Sequence, residues 1–319
     1  MFHNLPIMRG AWIAVETCMK IKPEETVLIV TDTGKTEIAE AFAYAAKAVG
    51  GRTTVFIMEP LRTHGEAPSK PIAEAMKAAD VVLMPTTRSL SHTDARREAT
   101  RHGARIASMP GITEDMMSVG GLTADYRRVA ELTDKVAAAL ENGKSVEIST
   151  PSGTNLSMSI EGRPPLRDTG LYHNPGDWGN LPAGEACLAP VEGTTQGTLV
   201  IDRMGEIVKH PLPIAVKNGW AKEFDGPDAA KLEKVLKSAD ENAYNIGELG
   251  IGTNPKARLT GRVLEDEKVL GTIHIALGDN TSYVGGHTKS KIHLDGILLQ
   301  PTVKVDGHIL MKDGKLLLG

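Results

Sequence analysis

Near its end the chain reads S-K-I-H-L-D-G-I-L-L-Q-P, from 290 to 301. The Ile and Leu content and the closing Pro predict a β-strand. On such a strand His293 and Asp295 share one face, while Ile292 and Leu294 take the other. An imidazole beside a carboxylate suits a metal ion. With Lys291 on the same face, the pair taken alone reads first as a solvated edge, and a metal site needs further ligands from elsewhere in the chain. Three more isolated groups stand in apolar or glycine-rich settings: Glu185 in N-L-P-A-G-E-A-C-L-A-P, Glu248 in I-G-E-L-G-I-G and His274 in V-L-G-T-I-H-I-A-L-G. Each alone reads as a cap, a turn residue or a satisfied core histidine. Together they would be costly to bury unless cations neutralised them. Three carboxylates and two imidazoles match a pair of divalent ions bridged by hydroxide, because a bound metal lowers the pKa of water to about 7.

Other chemical signals fail on spacing. T-D-T-G-K-T (31–36) follows a strand but lacks the earlier glycine of a phosphate loop, since Ile29 stands there. G-E-L-G-I-G-T-N-P has no third glycine and no following helix, so a dinucleotide fingerprint fails too. Neither G-x-S-x-G nor H-E-x-x-H occurs, which weakens a serine hydrolase or a helix-borne zinc site.

The elements that must position these residues fall into two halves. Apolar strands at 26–31, 52–58, 81–85 and 104–109 alternate with helices at 35–50, 72–79, 93–102 and 123–141. This predicts an α/β domain with a parallel sheet over residues 1–145. Short strands at 146–150, 155–160, 197–202, 257–263 and 272–278 follow, separated by Gly, Pro and Asn turns, with one helix at 228–243. This predicts a strand-rich α+β metal-binding domain over 146–319. S-L-S-H-T-D-A-R-R (89–97) follows the third strand, and ligands of parallel sheets gather at the carboxyl ends of strands. His92 and Arg96 are therefore candidates to face a substrate cavity, with Arg163 and Trp178 as further candidates.

Composition narrows the class. At 319 residues with a net charge of -4, the chain has no arginine-rich run and few aromatics (Trp 3, Tyr 5, Phe 4), so nucleic acid is not an expected partner. No apolar run is long enough to span a membrane, and the opening M-F-H-N-L-P-I-M-R-G does not read as a signal peptide. Cys18 and Cys187 cannot build a disulfide framework, and a cytoplasmic location is expected.

The segments around Glu185, Glu248, His274 and His293–Asp295, with S-T-P-S-G-T-N-L-S at 149–157, closely resemble the aminopeptidase T / aminopeptidase S metallopeptidase family. The likeness is specific from about 149 to 295. It implies an α/β domain followed by a β-rich metal domain, a homodimer and a small peptide substrate. Glu185, Glu248, His274, His293 and Asp295 would bind two divalent ions (zinc, cobalt or manganese, with iron also possible). Glu248 could also shuttle protons, and substrate would meet His92, Arg96 and Trp178. The family's catalytic tyrosine has no exact match: Thr281 stands at its usual spacing, and Tyr283 is the nearest candidate to stabilise an oxyanion. The implied function is a metallo-aminopeptidase, a hydrolase of the protease class. A second branch, the 2,5-dihydroxypyridine dioxygenases, is similar through P-G-D-W (175–178) and the V-G-G…H-L-D ending. It implies one ferrous ion and ring cleavage. It carries histidine where this chain has Glu248, and lacks acid at 185 and histidine at 274. A relative that binds metal without catalysis is the third reading.

Overall fold

A computed structural model describes residues 5–317 of the protein. The chain divides into two compact units: Met1–Val129 with Thr169–Ala183 and Pro255–Arg258, and Ala130–Asp168 with Gly184–Asn254 and Leu259–Gly319.

In the first unit, the apolar β-branched runs Thr26–Asp32, Arg52–Met58, Val81–Thr86 and Arg105–Pro110 form parallel strands. Trp178–Asn180 adds a parallel edge strand beside Arg105–Pro110. Ile72 and Met76 of the helix Lys70–Ala78 pack with Ala95 and Ala99 of the helix Asp94–Arg101 over Leu28, Val30, Val82, Met84 and Ile106. Thr93 caps the latter helix, its side chain accepting from the Arg96 backbone N–H. The expected α/β architecture with a parallel sheet is present.

The second unit is strand-rich, as expected, and consists mainly of two antiparallel sheets. One has eight strands. The other, which matters for function, has five in the order His293–Leu298, Ile273–Gly278, Ile246–Gly252, Glu185–Leu188, Leu166–Asp168. Side chains alternate across a strand. Leu249, Ile251, Ile273, Ile275, Leu277 and Leu298 therefore enter one core with Ile148, Leu156, Leu199 and Ile201 of the larger sheet. Their sequence neighbours must point the other way.

Two departures from the sequence reading have local causes. Residues 257–263 are not a strand. The Asp266 carboxylate accepts from the backbone N–H groups of Thr260 and Gly261, turning the chain into the short helix Val263–Asp266. The strand Ile246–Gly252 carries a register shift between Ile246 and Glu248. Ile246 lies in the core, and the shift turns Glu248, two residues on, to the opposite face. Among the described residues no helix is long and apolar enough to cross a membrane.

Candidate metal centre

On the face of the five-stranded sheet turned away from that core, cross-strand register brings the acids and histidines together. Asp168 pairs with Glu185, and Glu185 with Gly252. Gly250 lies between Cys187 and His274, and Ala276 between Glu248 and Asp295. Paired residues share a face, so five segments far apart in sequence meet on one surface. Small residues sit where the polar side chains must reach across. A Cβ on Gly250 would lie 2.0 Å from His274 Nε2.

The contacts are close. His293 Nε2 is 2.7 Å from Glu248 Oε2 and 3.3 Å from Asp295 Oδ1. His274 Nε2 is 3.3 Å from both Glu248 Oε1 and Glu185 Oε2. His274, Glu248, Glu185 and Asp295 are buried, while the His293 side chain keeps 31% of its surface exposed. His293 Nδ1 lies 2.7 Å from the Asp279 carbonyl oxygen. With its Nδ1–H donated to that carbonyl, His293 turns Nε2 to the carboxylates, donating to Glu248 while protonated and offering its lone pair once a metal displaces that proton, the arrangement of a metal-ligating histidine. Buried Asp295 Oδ1 faces His293 at 3.3 Å without a well-formed hydrogen bond. Ligand atoms of Glu248, His274 and Asp295 lie within 4.8 Å of one another, and so do those of Glu185, Cys187 and Glu248. The site thus offers residue clusters able to hold a metal ion.

Electrostatics follow from the burial. Burial alone would raise Glu248, but hydrogen bonds from His274 and His293 hold its carboxyl well below the usual range. Burial works against charge on His274, yet Glu248 and Glu185 push it up to about 9. The Cys187 thiol is pushed up by burial, with Glu185 and Glu248 adding to the effect, so it stays protonated.

The sequence reading missed a cation here. Lys268, 1% exposed, puts Nζ 2.6 Å from Glu185 Oε1, 2.7 Å from Glu267 Oε1 and 3.5 Å from Asp168 Oδ2. It sits in L-E-D-E-K-V-L, a charge run that reads as solvated surface. Glu265 and Asp266 of that run are also buried. No helical or strand periodicity marks it.

The remaining candidates fall in two places. Tyr283 belongs to the second unit, its ring centroid 6.2 Å from that of His293. Its loop is tied down by Glu192, which accepts from Asn280 Nδ2 and the His287 backbone N–H and pairs with Arg163. Burial raises the Tyr283 hydroxyl well above its ordinary value, helped by Glu248. His92, Arg96 and Trp178 come together in the first unit. The Arg96 guanidinium lies 3.6 Å from the Trp178 ring centroid. His92 meets that ring edge-on at 6.1 Å. Arg96 Nε donates to the Ser91 carbonyl at 2.6 Å.

Comparison with known proteins decides between the branches. The model of the NicX family, described as 2,5-dihydroxypyridine 5,6-dioxygenase, matches residues 8–318. A 2,5-dihydroxypyridine 5,6-dioxygenase of Pseudomonas putida is 26% identical over 239 residues, 69% of this chain and 66% of that relative. A solved structure of the 2,5-dihydroxypyridine dioxygenase from Pseudomonas putida KT2440 is similar at a TM-score of 0.81 and 18% identity, covering 98% of this chain and 97% of the other. Wild-type AmpT from Thermus thermophilus is similar at a TM-score of 0.75 and 18% identity, covering 99% and 100%. At that identity the two structures speak for the fold alone. The family match overturns the expected metallo-aminopeptidase, its hydrolase and protease character and its small peptide substrate.

Proposed function

The chain belongs to the family of 2,5-dihydroxypyridine 5,6-dioxygenases, and from that premise we propose that it opens a hydroxylated pyridine ring between carbons 5 and 6 with dioxygen. Both oxygen atoms enter the product, at a centre that holds one ferrous ion. The observation that carries this reading is the family match over residues 8–318; the donor set departs from the one that branch's resemblance implies, with Glu248 in place of a histidine and with Glu185 and His274 present. Two imidazoles, His274 and His293, face the carboxylates Glu248 and Asp295 within hydrogen-bonding range. Two histidines with carboxylate and room for further ligands suit non-haem ferrous iron. The two carboxylates Glu248 and Asp295 match one dication, and Lys268 is shared among Glu185, Glu267 and Asp168.

Bound iron supplies the redox chemistry that lets dioxygen react with a closed-shell ring. The protein's own groups do the rest. The Asp279 carbonyl fixes the His293 tautomer. His293 is the most exposed of the four donors, so substrate approaches from its side. Tyr283, kept protonated beside it, donates a hydrogen bond to an oxygen on the ring as negative charge develops there. In the first unit, the Arg96 guanidinium stacks on the Trp178 ring. Burial, with Arg97 and Arg101 nearby, lowers Arg96 to about 10, which leaves it charged at neutral pH.

The test is stoichiometric. Protein loaded with Fe²⁺ under nitrogen and mixed with 2,5-dihydroxypyridine in aerated buffer should consume one dioxygen per ring lost. An iron-loaded protein that leaves both ring and dioxygen untouched would refute the proposal.

A further inference from the structure

Lys268 is an expensive residue to bury, since an ammonium leaves water only when carboxylates and hydrogen bonds compensate it. The fold places it deliberately. Val269 lies against the end of the Glu248 strand, where a Cβ on Gly252 would sit 2.2 Å from the Val269 carbonyl oxygen and 2.9 Å from the Lys268 carbonyl carbon. The Asn254 backbone N–H donates to the Lys268 carbonyl at 2.9 Å, and the Leu270 N–H to the Asn254 carbonyl at 3.1 Å. Backbone bonds on both sides thus seat the ammonium over Glu185, Glu267 and Asp168. Beside it lies the second donor cluster, Glu185, Cys187 and Glu248, which shares Glu248 with the first.

We propose that Lys268 is a positioning residue that restricts the centre to a single dication: its ammonium holds Glu185 Oε1, leaving only Oε2 to face the site, and its positive charge beside the Glu185–Cys187–Glu248 cluster disfavours a second ion there. This rests on reading the neighbouring His274–His293–Glu248–Asp295 set as a one-ion site. A methionine at 268 has similar length and no charge. It frees Glu185, and the adjoining acids then favour a second cation.

The probe is Mn²⁺, counted by elemental analysis after gel filtration and by its spin-coupled resonance signal when two ions are close. Wild type should retain about one Mn²⁺ per chain, Lys268→Met about two with the coupled signal, and Lys268→Met/Glu185→Gln about one again. Glu185→Gln alone should bind its ion within about threefold of wild-type affinity, and this variant decides the matter if Lys268→Met does not fold. Two ions in the wild type, one ion in folded Lys268→Met, or a loss of tenfold or more in Glu185→Gln would each overturn the role of Lys268. None of these readouts involves the ring or dioxygen, so the dioxygenase reading stands or falls separately on substrate consumption.

Discussion

Gly250→Ala should empty the metal centre while leaving the protein folded. The added methyl would lie 2.0 Å from His274 Nε2 and 2.2 Å from Cε1. His274 is 1% exposed and cannot move into solvent, so its ring must turn away from Glu248. The backbone at Gly250 is not in the left-handed region, so the damage comes from the ring and not from backbone strain. Overpacking of this kind costs about 1–3 kcal/mol, small beside the stability of a large domain. Metal affinity should fall by about 100-fold or more, judged against the 10–100-fold typical of losing an outer partner. Equilibrium dialysis with Fe²⁺ or Mn²⁺ measures it, with circular dichroism as the folding control. Gly250→Ala/His274→Ala should be no worse than His274→Ala, because the two changes act through one ring. Additive losses would show that Gly250 serves something else.

His293→Ala should have an effect at least as large on metal binding and a smaller one on stability. Its side chain is 31% exposed, so little packing is lost, and the Asp279 carbonyl it leaves can turn to water. What disappears is the Nε2 ligand atom between Glu248 and Asp295. Affinity should drop beyond about 100-fold, with a thermal midpoint within a few degrees of wild type. An ion held with undiminished affinity would remove His293 from the set.

Much of this was legible in the sequence, for identifiable reasons. Strand periodicity predicts that His293 and Asp295 share a face, and the structure has them 3.3 Å apart. An imidazole in T-I-H-I-A-L-G stands out because its neighbours are all apolar. E-L-G-I-G-T-N-P fails as a nucleotide loop, and in the structure its glycines serve closeness instead: Gly250 admits His274 and Gly252 admits the backbone of the Lys268 turn. Alternation from Leu249 and Ile251 puts Glu248 on the site face, and the residue no alternation rule foresees is Ile246, which lies in the core beyond the register shift. Trp178–Asn180 joins the parallel sheet from beyond the 145 boundary as a strand of three residues, too short for periodicity to reveal. Lys268 was the decisive omission. Counting Glu185, Glu248 and Asp295 without it calls for two dications and points to hydrolysis. Lys268 offsets Glu185 but also faces Glu267 and Asp168, so a count of carboxylates no longer selects two ions over one. The charge argument that favoured the peptidase branch rested on an incomplete count, and the family match corrects the function it implied.

In the proposed function one ferrous ion per chain drives ring cleavage, and activity against iron content tests this most directly. Metal-free protein is titrated anaerobically with Fe²⁺, and the rate of 2,5-dihydroxypyridine loss after adding dioxygen is followed at each step. The rate should rise linearly and break at about one iron per chain. A break at two, or a ring left intact at every loading, would contradict it.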